Sequence, residues 1–359
     1  MQRAGQGVCV LRVAMNKRLK TMRLNLSMLR NRATGLPPVA AAMPAAGRWF
    51  SRDEAIMGTV IHVELWSDEP LLAERAIDAV MGEMHRIDRL MSPFKPESEL
   101  SLINRDAATR AVPIGAELFN LIEQSLRFSQ LSDGAFDITY ASVGQLYDYR
   151  QGVAPDAAEL ERARQAVGWR HLVLDAKSRT IRFARAGVRI DLGGFAKGYV
   201  VDTSIAILRR MGIQHAVVAA GGDSHLMGDR RGRPWSIAIR DPRDPKRVVA
   251  VLPLQDTSIS TSGDYERFFE RDGVRHHHLI DPKTGTSPSA LHSVTILAAD
   301  GLTSEALSKC VFVMGLARGM RLVESLPGVD AVVVDAAGTL HFSSGLAAAG
   351  RPDGGVTRQ

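Results

Sequence analysis

The most constraining feature of this chain is the stretch Arg189 to Asp202, RIDLGGFAKGYVVD, where a short apolar run meets two adjacent glycines and then a helix-forming segment. The run Val188-Arg189-Ile190 is expected to form a β-strand ending at Asp191, and a helix carrying Lys197 is expected to begin near Ala196. Between them, Gly193 and Gly194 let backbone approach a ligand. The helix start offers unpaired N–H groups to an anion, and Lys197 adds positive charge at the same place. The combination suits a phosphate-bearing ligand. The same residues also compose an ordinary strand, turn and helix with a solvated lysine, and only the remainder of the chain separates the two readings.

Length and composition narrow the field. The 359 residues, 45% of them hydrophobic, can bury a sizeable core as one large or two smaller domains. No apolar run of about 18 residues is present, which argues against a transmembrane helix. The net charge of +6 is concentrated in residues 1–48, which hold nine Lys/Arg and no acid. Removing these nine from 45 leaves 36 basic residues against 39 acidic, a net charge of −3, so the body of the chain has no basic signature for nucleic acid. The leader, ending in PPVAAAMPAAG, resembles an export or processing segment but has no proper apolar h-region. Cys9 is too poorly placed to read as a lipoprotein acceptor, and Met15 and Met22 are alternative starts. Cys310 falls on the apolar face of a helix, so no disulfide is expected.

Along the chain, Met57–Trp66 alternates like a half-buried strand and residues 70–91 repeat apolar positions at helical spacing. MSPFKPESEL then breaks the helix and puts Phe94 at a loop tip, where an aromatic either stacks on a flat ligand or covers core. Helices are expected at Ala116–Ser129 and Ala157–Ala166, separated by the turn Asp133-Gly134 and the run Ala135-Phe136-Asp137. Strands follow around Leu172–Leu174 and Thr180–Phe183. After a helix to Met211, strands are expected at His215–Ala219, Ser224–Met227, Trp235–Arg240 and Val248–Leu254. Gly221-Gly222 forms a turn that admits a ligand or merely closes a hairpin, and Ser258–Tyr265 reads as a polar, glycine-turned segment. His276, His277 and His278 end a strand; only the first and last share a face, and no third ligand supports zinc. A final helix is expected from Thr303 to Met314, with Glu305 and Lys309 one turn apart as either a surface ion pair or part of a site. Residues 345–359 read as a flexible tail, and 49–344 as the folded domain.

Taken together, six ordered motifs resemble the ApbE family of FAD:protein FMN transferases: MGT at 57–59, SELSLIN at 98–104, DGAFD at 133–137, DLGGFAKGYVVD at 191–202, TSGDYER at 261–267 and HLIDPKTG at 278–285. The resemblance spans Met57 to Gly315. It implies an α+β fold of two interleaved, T-fold-like halves with FAD in a cleft between them. Its members cleave FAD at the pyrophosphate, pass the FMN phosphoryl group to a threonine hydroxyl of a flavoprotein and release AMP; a few hydrolyse FAD instead. On this resemblance Met57, Phe94, Ala135, Phe136 and Asp137 line the flavin and ribityl region, and Leu279 packs on the nucleotide. Asp191 and Lys197 hold adenosine and pyrophosphate, the Gly194 carbonyl faces Mg²⁺, and His278 assists proton transfer. An imidazole with an ordinary pKa near 6.5 suits that last task.

The chain departs from the family at one place. Where relatives carry Asp-x-x-x-Thr as metal ligands, this sequence has Glu305 and Lys309. Glutamate still ligates Mg²⁺, whereas a protonated lysine has no lone pair to give. Asp300 is close but out of register. The expectation is therefore a catalytic role for Lys309 beside Lys197 and His278, with a weakened magnesium requirement. Three functions are carried forward: FMN transferase with a flavoprotein partner, FAD pyrophosphatase, and a non-catalytic FAD-binding protein. The basic leader favours the periplasmic side of a bacterial inner membrane, with any membrane association through that leader; a cytoplasmic location is the alternative.

Overall fold

The computed structural model describes residues 47–349. Nearly all of the basic leader, with Cys9, Met15 and Met22, lies outside them, as do residues 350–359. The architecture is α+β, as expected. Eight strands form one sheet: β1 (Arg48–Ile56), β2 (Thr59–Ser67), β3 (Ala216–Ala220), β4 (Asp223–Met227), β5 (Thr257–Gly263), β6 (Leu291–Ala298), β7 (Asp330–Asp335) and β8 (Leu340–Phe342). Each pairs antiparallel with the next in the chain, so the sheet is a meander with long insertions.

Helices α1 (Pro70–Met91), α3 (Ala196–Arg210) and α4 (Gly301–Met314) pack on one face of the sheet. α2 (Ala116–Leu131) lies beside α4, and α5 (Leu316–Glu324) follows it directly. On the other face the hairpin Trp235–Arg240 and Val248–Leu254 forms a smaller core with Val217, Leu226, Ile259, Leu297 and Val332. Strand β3 is therefore buried on both sides and reads as an unbroken apolar run. In β2 only one face is fully covered, and Ile61, Val63 and Leu65 alternate with half-buried His62, Glu64 and Trp66 as expected. α1 starts with Pro70 in its first turn, where the missing N–H has no intrahelical partner to lose, and buries Ile77, Val80, Met84 and Ile87 along one stripe.

Five sequence expectations change. SELSLIN, expected as a loop, is mostly the helix Glu99–Asp106, with Ser98 Oγ accepting from Ser101 N at 3.0 Å. β1 begins at Arg48, inside the expected leader, as the hairpin partner of β2. Val188–Ile190 is not a strand: its polar backbone groups bond to side chains, Ile190 N–H to Asn104 Oδ1 and Ile190 C=O to Asn104 Nδ2, both at 2.8 Å, and Arg189 N–H to Ser142 Oγ at 2.9 Å. Ser258–Gly263, read as a polar turn region, is central strand β5. Finally, Gly301–Met314 is not the last helix, and Ser344–Ala349 adds another where a tail was expected.

The crossing of α3 and α4 sets the position of everything discussed below. A Cβ on Gly198 would stand 2.2 Å from the Gly301 carbonyl oxygen, and one on Gly301 would stand 2.6 Å from that of Gly198. Two glycines thus let the backbones touch. Asp202, one turn along α3, accepts from Gly301 N at 2.6 Å and Leu302 N at 2.9 Å, satisfying the first free N–H groups of α4. Gly198→Ala is expected to destabilise the fold by about 3 kcal/mol or more, because the opposing atoms are backbone and cannot yield; chemical denaturation measures this.

Burial raises the Asp202 carboxyl to about 6 from an ordinary 3.8, outweighing the two backbone N–H groups. Between these values the folded chain binds more protons than the unfolded one, so stability falls as pH rises from about 4 to about 6 and is level above. Asp202→Asn is expected to remove this contribution, at most about 3 kcal/mol, and flatten that part of the stability profile in parallel urea titrations.

Candidate active site

The start of α3 is where the sequence signals converge, but its anion is not a ligand. The amide of Gly198 donates to Glu305 Oε2 of α4 at 2.6 Å. Glu305, although central to its helix, is fully buried, so its carboxylate occupies the positive helix end that a phosphate was expected to fill. Its other oxygen, Oε1, accepts from the ammoniums of both Lys197 and, at 3.3 Å, Lys309. Lys197 also donates to Asp223 Oδ2 at 2.5 Å, and Asp223 Oδ1 accepts from Ser260 Oγ at 2.5 Å. Ser308 joins Ser260 and Ser262 at 3.2 and 2.8 Å, so three serines line the base of the cluster.

The electrostatics follow from burial with partners. Desolvation pushes the Lys197 ammonium toward losing its proton, but Asp223 and Glu305 more than reverse this and hold its pKa above the ordinary lysine value. Burial likewise works to raise the Asp223 pKa, and Lys197 and Lys309 bring it below the usual carboxylate range. A surface ion pair between Glu305 and Lys309 is therefore excluded: one partner is buried and the other only 17% exposed along its side chain.

Around this cluster stand Asp191, Arg267, His278 and Tyr140. Asp191 accepts from Gly193 N at 2.6 Å; burial raises its pKa, while Arg267, Arg189 and Lys197 draw it down. His278 is tied by its backbone N–H to Arg267 C=O at 3.1 Å, and its buried Nδ1 has no partner. Loss of solvent, then Arg267, His277, Lys309 and Lys197, push its pKa down to about 3, not the ordinary value assumed from sequence. Tyr140 is held well above its usual range by burial and by Asp191. Met57 and Gly58, with φ of 55° and 70°, form the two-residue turn joining β1 to β2, and Arg267 reaches the Gly58 carbonyl at 3.4 Å.

The residues expected against the flavin divide in two. Phe94 is 91% exposed. Ala135, Phe136 and Leu279 are instead buried, and the Phe136 ring packs against Phe128 and Phe195 at 6.1 and 5.7 Å. Asp137 starts a short 3-10 turn: Oδ1 accepts from Thr139 N and Oγ1 at 2.8 and 2.6 Å, and Oδ2 from Trp169 N at 2.7 Å. These side chains are engaged within their own chain. Sequence reading missed Asp223, Ser260, Arg267 and Tyr140. The first was signalled only as the acid after a glycine pair, and Arg267 as the base closing TSGDYER.

The expected metal ligands do not fit a divalent ion as arranged. Glu305 already accepts from two ammoniums and one amide, and Mg²⁺ demands about six oxygens in octahedral order. The Lys309 stem lies over Gly194, its Cε 3.6 Å from where a Gly194 Cβ would stand. Among the described residues no group of three or more His, Cys, Asp or Glu is placed to hold a metal.

Two ammoniums, two carboxylates and an imidazole of lowered pKa thus meet where the motif around Gly193 and Gly194 opens α3. The ApbE family model matches residues 57–333, and the chain belongs to that family. A curated relative from Treponema pallidum (strain Nichols), named FAD:protein FMN transferase, is 31% identical over 318 residues, covering 83% of this chain and 88% of its own length. One of the same name from Vibrio cholerae is 32% identical over 281 residues, covering 75% and 82%. Among solved structures, the ApbE protein of Thermotoga maritima superposes with a TM-score of 0.78 at 32% identity, covering 84% of this chain and 99% of that one. The flavin transferase ApbE of Vibrio cholerae gives 0.75 at 27% identity with the same coverage.

Asp137→Ala and Phe94→Ala are expected to differ in kind. The first strips three hydrogen bonds from a buried turn and should destabilise the chain by about 2–4 kcal/mol. The second should leave stability within about 0.5 kcal/mol while weakening FAD binding by about 1–3 kcal/mol through a lost stacking surface. Thermal melts with fluorescence titrations separate them, and unchanged FAD affinity in Phe94→Ala would remove that loop from the flavin site.

Proposed function

We propose that this chain transfers the FMN moiety of FAD to a threonine hydroxyl of a flavoprotein acceptor, releasing AMP. The observation that carries the reading is His278, bonded through its backbone N–H to Arg267, with an unpartnered Nδ1 in the field of Lys197 and Lys309, within a domain that matches relatives named FAD:protein FMN transferase over most of both chains. The threonine oxygen attacks the FMN phosphorus, the bond to the AMP oxygen breaks, and AMP leaves with the electron pair. His278 receives the hydroxyl proton. Such catalysis is mostly positioning and charge neutralisation.

Two other outcomes have a specific basis. Water in place of threonine makes the chain an FAD pyrophosphatase, and the Lys309 departure is what a non-catalytic FAD binder would also carry. Incubation with FAD and a candidate flavoprotein distinguishes them: FMN fixed to the acceptor supports transfer, free FMN with AMP supports hydrolysis, and unchanged FAD supports a binder. The basic leader supports action on the periplasmic side of a bacterial inner membrane. N-terminal sequencing of the mature chain tests this, an intact leader counting against it.

The depressed His278 pKa gives a signed expectation. A lowered imidazole pKa keeps the base neutral and ready down to about pH 3 in the free protein. kcat/KM should therefore show no acid limb near 6.5. The FAD pyrophosphate offsets Arg267, Lys309 and Lys197, so the limb in kcat should lie at higher pH than that in kcat/KM. His278→Gln should lower kcat by about 10²–10⁴. An unshifted limb near 6.5 in both profiles, or full turnover in the variant, would assign the proton transfer elsewhere.

A further inference from the structure

The pair that replaces the family's Asp and Thr ligands is built as a unit around a fixed cation. Glu305 is immobile: it is fully buried, tied through Oε2 to the Gly198 amide, and shared through Oε1 between two ammoniums. Lys309 stands one helical turn on, held by that carboxylate at 3.3 Å. Its methylenes lie over Gly194, with Cε and Cγ 3.6 and 3.9 Å from the position a Cβ would take. The lysine stem thus packs at ordinary van der Waals distance on Gly194, just before α3, the place where the family resemblance puts the metal.

Lys309 differs from Lys197 in what its ammonium is free to do. Lys197 donates to both Asp223 and Glu305. Lys309 donates to Glu305 alone among the described residues, which leaves two of its three N–H donors without a protein partner there. A divalent ion set down beside Glu305 would meet two ammoniums already on the same oxygen. Charge repulsion and the lack of open oxygen donors both oppose it.

We propose that the Lys309 ammonium takes the place of the divalent ion, so that this chain binds the FAD pyrophosphate through a built-in cation and without bound metal. This rests on the reading of FAD as substrate. Glu305 is then a positioning residue that aims the ammonium, and Lys309 the group that touches phosphate. A fixed ammonium supplies one positive charge and directed N–H donors, whereas a metal supplies two charges and binds phosphate oxygens directly.

The test is FAD binding to the full chain, followed by fluorescence, in EDTA and in millimolar magnesium. Wild type should bind equally in both, within about twofold. Lys309→Met, which keeps the apolar stem and removes the ammonium, should weaken binding about 10- to 100-fold in either condition, the size expected for a lost charge-assisted hydrogen bond. Lys309→Arg should retain most of the affinity. The double variant Glu305→Asp, Lys309→Thr should bind FAD well only with magnesium, and should bind Mn²⁺ by electron paramagnetic resonance where wild type does not.

Wild-type affinity that drops tenfold or more in EDTA, or Lys309→Met that binds as wild type does, overturns the proposal. Should Lys309→Met fail to fold, the wild-type comparison and the arginine variant still decide. Flavinylation of an acceptor is scored separately. Metal-free FAD binding without transfer overturns the transferase reading alone, and transfer with magnesium-dependent FAD binding overturns this proposal alone.

Discussion

The structure depends on one buried carboxylate. Glu305 joins the amide of Gly198, the ammonium of Lys197 and, through that lysine, Asp223, so it ties α3, α4 and β4 together at a point without solvent. Such a group is tolerable only with every partner in place, because an uncompensated buried charge destabilises by several kcal/mol. The glycine contact between Gly198 and Gly301 brings the helices close enough for these bonds to form. Packing and electrostatics here are one constraint: without the close crossing the carboxylate has no partners, and without the partners two charged helices have no reason to cross there.

The same constraint redistributes the roles of motif residues. Asn104 pins the backbone of Ile190, Asp202 caps α4, and Asp137 holds Thr139 and Trp169. Each belongs to a motif that marks the family, yet each is engaged with its own chain. Less engaged with their own chain are the exposed ring of Phe94 and the His278 imidazole, whose Nδ1 has no partner. Much of what the motifs encode is thus the scaffold that aims these groups.

Sequence periodicity was legible wherever a segment faced hydrophobic core. α1 and β2 present apolar stripes at helical and strand spacing because their buried faces meet only carbon. It failed at β5 because Ser258, Ser260 and Ser262 face polar partners, including His225, Asp223 and Ser308, so one of its two covered sides is written in serine while Ile259 packs in the smaller core on the other. Val188–Ile190 misled in the opposite direction, its β-like residues being satisfied by side chains instead of a ladder. The Glu305 and Lys309 pair was found through motif register, but its burial was not visible from a spacing that surface ion pairs share. Asp223 is brought to the cluster by the pairing of β4 with β5, and Arg267 is fixed by the backbone bond from His278, contacts that no local signal records.

That pair also makes physical sense only as a double change. An aspartate at 305 is one methylene shorter and would draw its oxygens back from Lys197, Gly198 and Lys309 together. A threonine at 309 beside the present glutamate would leave Oε1 with one ammonium instead of two, and a neutral hydroxyl where the positive charge now stands. With both residues present, two carboxylates balance two ammoniums inside the cluster, so it is near neutral before any ligand arrives. A near-neutral network is one the fold can bury at modest cost. Beside this balanced network, His278 has its pKa lowered to about 3, first by burial and then by Arg267 and the neighbouring cations. The cluster therefore holds its shape through its own partners, which is what a preorganised polar network requires.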